Sequence, residues 1–261
     1  MFHGPRSTVS RGILLVLISN DDGVGSRGIR TLAKAMTPLG HVVVVAPDRE
    51  RSAVGHSLTL HKPLRVIEVD ENVYSVNGTP TDCITLAVNS ILSQKPDLVI
   101  SGINRGGNLG DNVTYSGTVS AAMEGALLGI PSIAVSVVGN GRLRYDAAAA
   151  ATLDIAGRVA KHGLPRDTFL NVNVPNLPQD QIHGLRVTCM GRRIFKDPVI
   201  KKEDPRGRSY YWVAGEEVVV ESEGYSDYDA VKDGCVSVTP LHLDLTHHEV
   251  LKEMESLLTQ N

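Results

Sequence analysis

The stretch Ile13-Leu14-Leu15-Val16-Leu17-Ile18-Ser19-Asn20-Asp21-Asp22-Gly23-Val24-Gly25-Ser26-Arg27-Gly28-Ile29 decides the fold. Residues 13–19 form one continuous apolar run, the mark of a strand buried on both faces of a parallel sheet. A polar, glycine-containing turn follows. Ile29, Leu32, Ala33 and Met36 then recur at helical spacing, and Gly40 stops the helix.

The same alternation continues downstream. Residues 42–45 predict a second buried strand closed by Pro47, with short β-type runs at 57–60, 64–69 and 73–76. Thr79 as N-cap and Pro80 at the first helical position open a helix whose stripe is Ile84, Ala87, Val88 and Ile91. Strands are expected at 97–101, 133–137 and 169–174, and helices at 119–128 and 146–159; residues 102–114 are a Gly/Asn-rich loop. This order predicts an α/β, Rossmann-like, doubly wound and mostly parallel sheet over residues 13–184.

Past residue 185 the texture changes. Strands are expected at 185–190, 210–213 and 235–239 around a charged stretch at 196–208, with a final helix over 246–258. Residues 185–261 therefore read as a β-hairpin appendage with a terminal helix. Residues 1–12 read as a loose N-terminal extension, either native or an added or misassigned start.

Bulk properties exclude several classes. The 261 residues are 42% hydrophobic and 21% charged, enough for a sizeable core. Twenty-six basic residues against 29 acidic give a net charge of -3, with no basic stripe for a nucleic-acid duplex. No apolar run is long enough for a membrane span. Cys83, Cys189 and Cys235 lie far apart with no CxxC pair, which points to a reducing, cytoplasmic setting.

In an open α/β sheet, ligands bind beyond the carboxyl ends of the strands. Four loops emerge there. Asn20-Asp21-Asp22-Gly23 sets two carboxylates side by side, a repulsion of roughly 3 kcal/mol at about 5 Å in an effective dielectric near 20. A divalent cation removes that cost, although Asn, Asp and Gly also suit a plain turn. Asp48-Arg49-Glu50-Arg51-Ser52 is a charge run typical of a solvated face, but the Ser52 hydroxyl is a possible oxygen ligand. The loop from Ser101 through Asn104 and Asn108 to Asn112 offers amide groups and glycines for close backbone approach. Tyr115-Ser116-Gly117-Thr118 stands at a helix start, where N–H groups and hydroxyls favour an anion and Thr118 can cap. Together these are hard oxygen donors beside an anion pocket, suited to Mg²⁺ or Mn²⁺ and to phosphoester hydrolysis.

Two rival readings share the same residues. Gly23-x-Gly25-x-x-Gly28 between a strand and a helix, with Asp48 further on, spells a dinucleotide fingerprint and hence an NAD(P)-binding oxidoreductase. Against it, Asp21 and Asp22 would face a pyrophosphate without a compensating cation. A non-catalytic nucleotide sensor would use the same pocket without turnover.

The motif set resembles the SurE family of survival-protein nucleotidases. The matching segments are ILLVLISNDDGVGSRGI, VVVVAPDRERSAVGHSLTL, VNGTPTDCITLAV, PDLVISGINRGGNLGDNVTYSGTVSAAMEGALLGIPSIAVS, DPRGRSYYW and CVSVTPLHLDLT, in family order. The resemblance implies hydrolysis of nucleoside 5′- and 3′-monophosphates, sometimes with activity on short polyphosphate. It implies one Mg²⁺ or Mn²⁺ per subunit on Asp21, Asp22, Ser52 and Asn104, and a phosphate pocket lined by Asn108, Ser116, Gly117 and Thr118. It also implies a homodimer or homotetramer built through the C-terminal hairpin and tail. On this reading a water activated by the cation is the nucleophile, Asp21 or Asp22 helps take its proton, and His56 is a candidate acid for the leaving oxygen. His247 and His248 read as surface or capping residues.

Overall fold

Side-chain alternation along the first strand, β1 (Leu14–Ser19), divides the core into two layers. Val16 and Ile18 face a cluster with Ile29, Leu32 and Met36 on one side of the sheet. Leu15 and Leu17 face Val43, Val45, Cys83 and Ile84 on the other. The computed structural model describes residues 13–196, 199–213, 216–220 and 224–259; the expected extension at 1–12 lies outside them.

After β1 come α1 (Arg27–Met36), β2 (Gly40–Pro47), β3 (Val66–Asp70), β4 (Val73–Val76), α2 (Pro80–Leu86) and β5 (Leu98–Arg105). Next are α3 (Gly117–Leu127), β6 (Ser132–Val138), α4 (Tyr145–His162) and β7 (Thr168–Pro175). The last part holds β8 (Leu185–Val187), β9 (Arg192–Lys196), β10 (Val199–Glu203), β11 (Ser209–Val213), β12 (Glu216–Val220), α5 (Asp227–Lys232), β13 (Val236–His242) and α6 (Leu251–Thr259).

A nine-stranded sheet runs in the order β3-β4-β2-β1-β5-β6-β7-β13-β8. Its central strands, from β4 to β7 in that order, are parallel, as expected. Helices α1 and α4 pack against each other on one face, and α2 and α3 on the opposite face. The chain leaves β1 towards β2 and later returns to place β5 on its other side. The topological switch point therefore lies between β1 and β5, and that is where a ligand crevice opens.

Local chemistry explains most boundaries. Thr79 and Asp82 form a reciprocal capping box at the start of α2, with Pro80 at its first turn. The helix then loosens into a π-turn over Ala87–Ile91, so the expected apolar stripe spans two helical forms. The run at 57–60 is not a strand. Ser57 O accepts from Thr79 Oγ1 and Thr59 N–H donates to Asp82 Oδ1, so α2's cap satisfies this segment in place of a ladder.

The C-terminal region differs from expectation in several ways. Strand β13 joins the main sheet antiparallel to β7 and carries β8 on its outer side. The charged stretch contains β10, which pairs antiparallel with β11 across a turn held by Asp204. Helix α5, opened by a Ser226–Asp229 capping box, was not anticipated. Strands β9 and β12 make a second two-stranded ribbon. The final helix starts at Leu251, later than expected, after a 3₁₀ turn.

Candidate active site at the strand switch point

A cavity of about 430 Å³ lies at the switch point, lined by Asp21, Asp22, Glu50, Ser52, Asn104, Arg105, Asn108, Asn112, Tyr115 and Ser116, with Ala53 and Gly107. It gathers one residue group from each of the four loops singled out above. Gly117 and Thr118 stand behind this lining.

Asp21 is only 7% exposed. Its Oδ1 accepts from the Thr118 hydroxyl at 2.5 Å, and the Thr118 backbone N–H also holds the carboxylate. Burial nevertheless raises the Asp21 pKa above the ordinary carboxylate value. Asp22 is pushed up to about 6, first by burial and then by the charge of Asp21. Its Oδ2 accepts from the Arg105 backbone N–H at 3.2 Å. Among the described residues neither aspartate has an ion-pair partner within 4.0 Å.

The neutral oxygens are oriented by their neighbours. Ser52 donates its hydroxyl to Glu50 Oε1 at 2.6 Å, leaving lone pairs on the serine oxygen. Asn104 donates Nδ2 to Gly106 O at 2.8 Å, which leaves its Oδ1 as an open acceptor. The loop bearing Ser52 is fixed to the site by Arg51 N–H donating to Asp21 O at 2.7 Å. Among the described residues no three His, Cys, Asp or Glu side chains converge as a metal cluster. A cation here would be held by two carboxylates and neutral oxygens. Two adjacent carboxylates with raised pKa and no ion pair among the described residues fit a hard dication.

Two glycines make the packing possible. A Cβ on Gly117 would sit 2.9 Å from Asp21 Cβ and 3.2 Å from Pro80 Cγ, so only glycine lets α3 close on the aspartate. A Cβ on Gly28 would sit 2.1 Å from Ile103 O, which explains that glycine by helix–strand contact with no nucleotide needed. The Val24 N–H is also spent on Pro47 O at 2.8 Å. Gly28, one of the three glycines that spell a dinucleotide fingerprint, thus serves internal packing.

Corrections at α3 follow from the same geometry. The helix begins at Gly117 and its N-cap is Ser116, whose Oγ accepts from Val119 N–H at 3.1 Å. The Thr118 hydroxyl does not cap; it is occupied by Asp21. Asn108 is buried and braced, donating Nδ2 to Ser136 Oγ at 2.8 Å while its carbonyl accepts from Asn171 and Asn173. His56 is not in the cavity lining. It pairs with Glu124 Oε2 at 2.9 Å, and that contact lowers the Glu124 pKa. His247 and His248 are both exposed; His248 pairs with Asp244, four residues before it, at 2.5 Å, and neither histidine side chain caps the turn that starts there.

Sequence reasoning missed Glu50, Arg105 and Tyr115 as wall residues, since a charge run and a loop arginine carry no distinctive pattern. It also missed Asp227. This fully buried carboxylate accepts from the N–H groups of Gly110, Gly191 and Tyr228 and pins the loop after Asn108 to the C-terminal region. Its only sequence signal is its place inside the Ser226–Asp229 capping box.

The family model described as Survival protein SurE matches residues 16–197. The chain belongs to the SurE family. It is 55% identical over 241 residues to 5'-nucleotidase SurE of Geotalea uraniireducens, covering 92% of this chain and 97% of the relative. With 5'-nucleotidase SurE of Geobacter sulfurreducens it shares 54% identity over 242 residues, covering 92% of each. The crystal structure of the SurE protein from Aquifex aeolicus superposes with a TM-score of 0.86 at 51% identity, covering 93% of this chain and 99% of that one. SurE membership and this structural match agree with the mostly parallel α/β sheet. Among the described residues, no helix of this SurE chain is long and apolar enough to cross a membrane.

Proposed function

We propose that this chain is a divalent-metal-dependent nucleotidase that releases phosphate from nucleoside 5′- and 3′-monophosphates. The observation that carries it is the pair Asp21–Asp22 at the switch point of a SurE fold, both with raised pKa and, among the described residues, with no ion-pair partner within 4.0 Å. The printed activity of the relatives, 5'-nucleotidase, supports the reaction class.

Asp21, Asp22, Ser52 and Asn104 would hold one Mg²⁺ or Mn²⁺. When bound, the ion supplies Lewis acidity towards the phosphate and towards water. Ser116 and Gly117 present the start of α3, an 11-residue helix, whose dipole favours the anionic ester. Asn108 adds a polar contact from the wall. Thr118 acts through Asp21, fixing its carboxylate by two hydrogen bonds. Asp22, the more exposed acid, is the better placed of the two to accept a proton from attacking water.

Assembly as a homodimer or homotetramer belongs to the same proposal. Tyr211 and Trp212 on β11 are 60% and 59% exposed, and Leu257 and Leu258 on α6 are also open, so both C-terminal elements offer apolar surface to a partner. A cytoplasmic placement belongs to the same proposal, supported by the wide spacing of Cys83, Cys189 and Cys235 and the lack of a CxxC pair. The experiment is phosphate release from a panel of nucleoside monophosphates, with EDTA or with added Mn²⁺ or Mg²⁺. Turnover that needs the metal supports the reading; metal-independent turnover, or binding without turnover, overturns it.

A further inference from the structure

A second cavity of about 430 Å³ lies on the α1–α4 side of the molecule, and its lining is basic. Arg27, Arg142 and Arg144 line it against one carboxylate, Asp146. Among the described residues none of the three guanidinium groups has a carboxylate within 4.0 Å, Asp146 included. Three like charges held around one hollow repel one another unless an anion enters.

The hollow is preorganised. Asn176 Nδ2 donates to Asn140 O at 3.1 Å and to Arg142 O at 3.2 Å, and Asn176 Oδ1 accepts from Arg144 N–H at 2.9 Å. One side chain thus fixes the loop that presents two of the arginines. Gly139 is required beside it, with φ of +146° and a Cβ position 2.7 Å from Asn176 Cβ. Arg27 is held from the opposite wall by the Tyr145 ring, its guanidinium 5.9 Å from the ring centroid. The 18-residue helix α4 starts at this cavity with Arg144 as N-cap and no side-chain cap, so no side chain competes there for an incoming acceptor.

Tyr145 also connects the two cavities. It stands against Gly28, and its hydroxyl feels the charges of Asp22 and Arg105, members of the catalytic cavity. The geometry points to a second anion site, in which Arg27, Arg142 and Arg144 grip a phosphate group of a ligand separate from the ester being cleaved. Planar guanidinium groups match phosphate oxygens in paired hydrogen bonds, which selects this anion over a simple halide. The phosphate can be free or carried on a nucleotide.

Calorimetric titration of the metal-loaded full chain tests this, with inorganic phosphate and a non-hydrolysable phosphonate analogue of a nucleoside monophosphate as separate probes. Two classes of site are expected in the parent. Arg142→Ala combined with Arg144→Ala should weaken one class at least about tenfold and leave the other intact. Both arginines are exposed, so the substitutions spare the core. Binding of phosphate alone at the affected class identifies a free anion; a response to the phosphonate only identifies a nucleotide. A single class in the parent for both probes, or superimposable isotherms for parent and double variant, overturns the proposal. Asp21→Asn separates it from the nucleotidase reading, because the arginine-dependent class should persist there even where the catalytic class is lost.

Discussion

Asp22→Asn should make the metal-free protein more stable while removing its response to metal. Asp22 has its pKa lifted from 3.8 to about 6 by burial and by Asp21. That interval is worth about 3 kcal/mol at full strength. Asp22 is only partly buried, so solvent screening reduces the figure to the order of 1 kcal/mol. The sign follows from linkage. A carboxylate that titrates higher in the folded state costs nothing below about pH 4. The cost grows as pH rises and is complete above about pH 6. Asparagine keeps the acceptor for the Arg105 N–H without the charge. In EDTA the variant should therefore melt about 2–4 °C above the parent at pH 8, and level with it near pH 4. Adding Mn²⁺ at about a hundred times its Kd should stabilise the parent by about 2.7 kcal/mol and the variant far less. Scanning calorimetry at four pH values, with and without metal, reads all of this. A variant that melts at or below the parent at pH 8 in EDTA would refute the reasoning.

Gly117→Ala should cost about 1–3 kcal/mol by overpacking against Asp21 and Pro80, and should lower phosphate release more than its stability loss explains; urea unfolding and an activity assay separate the two. Asp227→Ala strands the N–H groups of Gly110, Gly191 and Tyr228 and should destabilise the chain by about 3 kcal/mol or more, read by the urea midpoint. Replacing residues 199–213 by a short glycine linker removes the β10–β11 ribbon with its exposed Tyr211 and Trp212, and should lower the assembly mass in light scattering. An unchanged mass would take the ribbon out of the interface.

The sheet and its flanking helices were legible because two periodicities coincide in this chain. Apolar runs such as 14–19 can be buried only on both faces, and stripes such as Ile29, Leu32 and Met36 can cover only one. The candidate ligands Asp21 and Ser52 were legible for a related reason, since they follow strand ends where a parallel sheet exposes its loops; Asn104, expected in a loop, instead lies in β5 beyond a register shift that interrupts its pairing with β6. The C-terminal region resisted. Lys201, Lys202 and Glu203 look like a solvated run, yet they pair residue by residue with Tyr211, Tyr210 and Ser209, because a two-stranded ribbon buries neither face and so needs no apolar alternation. Glu50 and Asp227 were invisible for another reason. Glu50 sits in a charge run that reads as a solvated face although it orients Ser52 two residues on, and Asp227 acts across 117 residues on Gly110, a partner no local pattern encodes.

The most direct test of the central claim is a crystal of this protein soaked in manganese and measured for anomalous scattering at the manganese edge. The account predicts one peak per chain among Asp21, Asp22, Ser52 and Asn104, and its loss in Asp21→Asn. A map with no peak there, or with manganese bound only elsewhere, would contradict it.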